Sequence, residues 1–86
     1  MTATAIRITA AQLRGARAML GISQADLADK AKVSVPTIKR MEAGDGPLRG
    51  TYETVAAVIG VLEAAGVEFT NGDDTSGVKL KQKPQS

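Results

Sequence analysis

The stretch that decides the fold reads Leu20-Gly21-Ile22-Ser23-Gln24-Ala25-Asp26-Leu27-Ala28 and then Val33-Ser34-Val35-Pro36-Thr37-Ile38-Lys39-Arg40-Met41-Glu42-Ala43-Gly44. Ser23 is a good N-cap, and Asp26 three residues later favours the positive end of a helix. A short helix is therefore predicted from Ser23 to Ala31, with Leu27, Ala28 and Ala31 as a narrow apolar stripe. Ser34 caps a further helix that runs to about Ala43. Pro36 falls in its first turn, where a missing N–H does no harm. Ile38 and Met41 form its inward pair, and Gly44 ends it. Only about three residues join the two helices. Ala28 is small enough for a close crossing, with Val33 and Ile38 as the apolar pins that hold its angle.

Outward from this pair, Thr9 to Leu20 reads as a first helix. Thr9 and Gln12 make a capping box, and Gly21 supplies a left-handed C-cap. The run Gly44-Asp45-Gly46-Pro47-Leu48-Arg49-Gly50 is dense in breakers and is a loop. Thr51 then caps the longest helix, to about Ala65, with Tyr52, Val55, Ala56, Ile59 and Leu62 along one face and Gly66 as its stop. Tyr52 fits a core position. Gly60 in mid-helix costs about 1 kcal/mol against Ala, and close packing is one reason to carry it. Val67-Glu68-Phe69 and Val78-Lys79-Leu80 alternate with period two around a run of turn formers, Asn71 to Gly77, so a hairpin is expected. A lone hairpin is marginal in water and needs something to pack or pair with. The tail from Lys81 to Ser86 is basic, contains Pro84 and has nothing to bury, which is a disordered composition.

Eighty-six residues make one domain at most. The chain is 43% hydrophobic and 23% charged, with one Tyr, one Phe and no Trp, so the core must be aliphatic. A domain this small is marginal alone, and a partner chain helps it. Without His or Cys there is no Cys/His zinc site, thiol nucleophile, Ser-His-Asp triad or disulfide. Asp45, Asp73 and Asp74 lack EF-hand spacing. Gly44-x-Gly46 lacks the third glycine and preceding strand of a phosphate cradle. No metal, no cofactor and no enzyme activity are expected. The apolar runs are too short to span a bilayer, and Met1 to Ile8 does not read as a signal peptide. The expected compartment is the cytoplasm, with no membrane partner.

The net charge of +2 conceals a pattern. Residues 1–50 hold eight basic side chains and four acidic ones, whereas residues 51–77 hold five acids and no Lys or Arg. Either one side faces a polyanion, or this is ordinary solvated surface charge. The later helix of the central pair exposes Val35, Pro36, Thr37, Lys39 and Arg40, with no acid among them. Two short helices crossing at a tight turn make a helix-turn-helix, and a helix with such a face fits the DNA major groove.

These residues resemble the Xre/Cro-type helix-turn-helix regulators, the phage-repressor-like DNA-binding domains. The resemblance rests on Gln24 at the start of helix 2, the Leu27-Ala28 pair, and Val33-Ser34 before helix 3. Thr37-Ile38 within that helix and Glu42-x-Gly44 at its end complete it. It covers about residues 9–65, and Val67–Phe69 with Val78–Leu80 resembles small bacterial members that carry a C-terminal strand pair. It implies an all-α repressor-like domain of about four helices with a small C-terminal β-hairpin. The family often has Gly in the turn where this chain has Lys32, and a left-handed residue there is mildly strained.

The resemblance implies that Gln24 contacts a DNA phosphate, and that Arg49, after helix 3, touches the backbone. It also implies a structural ion pair between Arg17 and Glu42, which keeps both off the DNA. By its own chemistry Arg40 either pairs with guanine O6 and N7 or holds a phosphate. Val35 and Thr37 suit thymine methyls or a hydroxyl partner, although Val35 also suits a staple against the core. Pro36 contributes shape, and Lys39 suits a phosphate. Lys30 and Lys32 supply general electrostatics.

One helix contacts too few base pairs to select a site in a genome, so a homodimer on double-stranded DNA is expected, reading an inverted repeat with half-sites about 10 bp apart. The hairpin and the apolar face of helix 4 are the dimer surfaces to weigh. Binding over a promoter excludes polymerase, which favours a repressor or autoregulator. The other reading is a protein-binding module on the same fold, an antitoxin or antiactivator that grips a regulatory protein partner. The chain divides into an arm (residues 1–8), the DNA-binding domain (9–66), the hairpin (67–80) and the tail (81–86).

Overall fold

The computed structural model describes residues 8–71 and 76–81. The arm before Ile8, the turn formers at 72–75 and the tail beyond Lys81 lie outside the described residues. Four helices are followed by a two-stranded antiparallel sheet: α1 (Ala10–Leu20), α2 (Gln24–Ala31), α3 (Val35–Met41), α4 (Tyr52–Ala64), β1 (Val67–Asn71) and β2 (Ser76–Leu80).

Each helix begins where a hydroxyl can cap it. The side chains of Thr9, Ser23, Ser34 and Thr51 accept from the backbone N–H three residues on. The backbone N–H groups of Thr9 and Ser23 donate in return to the side chains of Gln12 and Asp26, so both capping boxes are complete. Gly21 closes α1 in the left-handed region at φ 68°. Lys32 does the same for α2 at φ 61°, and it is the one non-glycine residue described with positive φ.

α3 is shorter than expected, ending at Met41 rather than about Ala43. The cause is Arg14 on α1. Its Nη1 donates to the carbonyls of Glu42 (2.6 Å) and Gly44 (2.7 Å). Those carbonyls are held by a guanidinium instead of being carried on a continuing helix. A second correction concerns Tyr52, which is 70% exposed and not a core residue. As the first residue of α4 it stands beyond the layer that the helix covers, and Val58 supplies the buried contact. Gly60 is exposed, and a Cβ placed there meets nothing, so close packing within the chain does not explain it.

The core is aliphatic, with Leu13, Leu27, Ile38, Met41, Val58 and Leu62 fully buried. Ile8 joins it, and the backbone beside Ile8 pairs with the α3–α4 loop through Leu48 N–H to Ile8 O (3.2 Å) and Ala10 N–H to Gly46 O (2.9 Å). This fixes the loop that follows α3.

The hairpin aligns Val67 with Leu80 and Phe69 with Val78, and it packs against α1 of its own chain. Gln12, 4% exposed, ties the two together. Its Nε2 donates to the carbonyls of Gly77 (2.9 Å) and Thr70 (3.3 Å), while its Oε1 accepts from Thr9 N–H and from Asn71 Nδ2. Gly15 permits the close approach of the strand, since a Cβ there would lie 3.3 Å from Val78 Cγ2.

Candidate nucleic-acid interface

The placement of α3 begins with α2. Ala28 is 2% exposed beneath the crossing, Ile38 is fully buried, and Val33 is packed against the core as expected of the pins. This leaves Pro36, Lys39 and Arg40 exposed and Thr37 half-buried. Val35 is half-buried and packed against the core, the staple position. No acid lies between Val35 and Met41.

The polar groups on this face are partly preorganised. The hydroxyls of Ser34 and Thr37 share a hydrogen bond of 2.8 Å, and Thr37 Oγ1 also accepts from Arg40 Nη2 at 3.3 Å. An arginine resting on a neutral hydroxyl keeps its charge and most of its donors for an outside acceptor. Arg49 stands beside it. The two arginines line a depression of about 250 Å³ with Thr37, Thr51 and Thr54, and a second of about 300 Å³ with Ala43 and Gly44. The turn that brings Arg49 there needs Gly50, whose φ is 129°.

Behind α3, the Glu42 carboxylate is 4% exposed and accepts from Arg17 Nε (2.8 Å) and Nη2 (3.1 Å), a bidentate pair. Arg17 Nη1 also donates to Ile22 O at 3.1 Å. The hydrogen bonds to Glu42 outweigh partial burial and raise the Arg17 pKa further above its ordinary range. The ion pair expected between helix 1 and the end of helix 3 is therefore present. Gln24, read as a phosphate contact, is half-buried, and its Nε2 donates to the same carboxylate at 3.1 Å. One carboxylate thus joins α1, the start of α2 and the end of α3.

One residue went unnoticed in the sequence as part of this arrangement, while Asp26 stands where its capping position predicts. Arg14 holds the carbonyls at the end of α3, and nothing local distinguishes it from Arg17 on the same helix. Asp26 occupies the α2 N-terminus, where bonds from the Ser23 backbone and side chain hold its carboxyl below the usual aspartate range. Lys30 and Lys32 are exposed and apart from α3's outer face.

Residues 9–70 match the helix-turn-helix domain family. The chain belongs to that family. No curated protein matches the sequence. The helix pair that gives such a domain its name is α2 and α3 here. Among the described residues no helix of this domain is long and apolar enough to cross a membrane, and no group of His, Cys, Asp or Glu is arranged to hold a metal.

Proposed function

We propose that this helix-turn-helix domain is a sequence-specific regulator of transcription of the Xre/Cro type. It binds double-stranded DNA as a homodimer and represses, its own gene included, by occupying an inverted-repeat operator. The observation that carries this reading is the acid-free outer side of α3, where exposed Lys39 and Arg40 stand beside Arg49. Such a surface answers both needs of operator binding, phosphate attraction and base reading.

The assigned roles follow the chemistry. Arg40 reads a guanine edge through its free guanidinium face. Thr37 and Pro36 meet neighbouring base edges, Val35 fixes the approach, and Lys39 and Arg49 hold phosphates. Gln24 has a second amide N–H beyond the one given to Glu42, and it serves a phosphate at the start of α2. Residues 1–8 act as an arm, residues 9–66 as the DNA-binding domain and residues 67–80 as a hairpin that buttresses it. Residues 81–86 act as a basic tail.

Selection of bound duplexes from a random pool tests the proposal. Wild type should enrich an inverted repeat with half-sites about 10 bp apart. Arg40→Ala should relax preference at one base pair by about 1–3 kcal/mol, whereas Lys39→Ala should weaken all duplexes alike. If no duplex is enriched over the pool, the regulator reading fails.

A further inference from the structure

Arg49 is carried by neither α3 nor α4 but by the loop between them. That loop begins and ends on glycines with positive φ, Gly44 at 75° and Gly50 at 129°. A stretch hinged on two glycines has much conformational freedom to lose, so the position of Arg49 depends on what restrains the loop.

The restraint comes from the side of α1. Among the described residues, the hydrogen bonds that tie residues 44–48 to other elements end on Ile8, Ala10 and Arg14. Gly46 O accepts from Ala10 N–H (2.9 Å), and Leu48 N–H donates to Ile8 O (3.2 Å). Arg14 holds the near end. Its Nη1 donates to the carbonyls of Glu42 (2.6 Å) and Gly44 (2.7 Å), and its Nη2 to Asp45 Oδ1 (3.3 Å). The two backbone bonds are neutral, whereas those from Arg14 are charge-assisted and therefore the stronger hold. Gly44, whose carbonyl Arg14 takes, itself lines the depression between Arg40 and Arg49. Arg14 thus acts one residue away from the arginine pair, with both Nη1 protons taken up by carbonyls of its own chain.

We infer that Arg14 is a positioning residue for DNA binding: without touching DNA, it sets the loop that places the Arg49 guanidinium beside Arg40 for a backbone phosphate. This rests on the regulator reading and adds a residue to it. The effect is selective. Arg40 stands on α3, whose inward side is set by buried Ile38 and Met41, so its reading of a base does not pass through Arg14. Arg49 depends on the loop. Arg14 therefore governs phosphate attraction and leaves base preference alone.

A double-mutant cycle on the full chain tests this, using a duplex enriched by wild type and affinities read by fluorescence anisotropy across a salt series. Arg49→Ala should weaken binding about tenfold per subunit, the size of one charge-assisted hydrogen bond, and lower the salt slope by about one per subunit. Arg14→Ala should weaken every duplex severalfold and lower the slope likewise. Added to Arg49→Ala, it should change nothing further. Amide exchange in the free chain should quicken at Ala10 and Leu48 in Arg14→Ala, while the middle of α4 keeps its protection. Effects that add across the cycle would make Arg14 a separate phosphate contact or a long-range charge, and overturn the inference. So would an altered base preference, an unchanged affinity or an unchanged loop exchange in Arg14→Ala. If Arg14→Ala fails to fold, Arg14→Gln, polar but too short to span both carbonyls, runs the same cycle. A wild type that selects no duplex removes the regulator reading and this inference with it. A wild type that selects one while the cycle adds removes only the role of Arg14.

Discussion

Arg17, Gln24 and Arg14 show how much the placement of α3 depends on residues outside it. Arg17 and Glu42 form a bidentate pair whose carboxylate is 4% exposed. Among the described residues Arg17→Ala leaves that carboxylate with Gln24 alone as side-chain partner, and should lower stability by about 3 kcal/mol in urea titration. An unchanged melt with lost DNA binding would contradict the structural role. Asp26 makes a prediction in pH. Its pKa is lowered in the folded chain by bonds from Ser23, so the folded form binds protons less readily than the unfolded one. Its contribution is present above the ordinary aspartate value, about 3.9, and is lost as pH falls through the lower folded value. An NMR titration should place the Asp26 midpoint below that of a model peptide, and Asp26→Asn should flatten the acid limb of stability. Lys32 holds φ 61°, so Lys32→Gly should relieve strain and raise stability by up to about 1 kcal/mol, readable from thermal unfolding.

At the scale of the elements, the helix starts were legible because capping is local. Thr9, Ser23, Ser34 and Thr51 each bond a backbone group three residues away, and nothing distant interferes. The end of α3 was not legible, since it depends on Arg14 reaching across from α1. Tyr52 misled because it keeps helical spacing with Val55, although the first residue of a helix can overhang the core. The outer face of α3 could be read in advance, because Ile38 and Met41 fix which side turns inward. The attachment of Gln24 to Glu42 could not, because it joins residues 18 apart through tertiary packing. Gly60 has open space around it. Gly60→Ala should therefore raise stability by up to about 1 kcal/mol, readable from thermal unfolding.

For the whole molecule, charge is the property that local structure does not display. Lys39, Arg40 and Arg49 lie on or beside α3, while the described acids of residues 51–77, Glu53, Glu63 and Glu68, lie on α4 and β1. Association with an operator should therefore depend steeply on salt. With 6–10 phosphates neutralised by a dimer, affinity should fall about 10³–10⁵-fold between 50 and 200 mM salt, measured by fluorescence anisotropy. A shallow slope would argue for an uncharged partner surface instead.

The join between the hairpin and the helices turns on the chemistry of a single atom. Both carbonyls beneath the strands accept their hydrogen bond from the Gln12 nitrogen. Gln12→Glu keeps size and shape but sets an oxygen against those two oxygens. At neutral pH the strands should then lift from the first helix, seen as faster amide exchange at Thr70 and Val78, and they should settle in part once acid returns a proton, since one O–H then replaces two N–H donors.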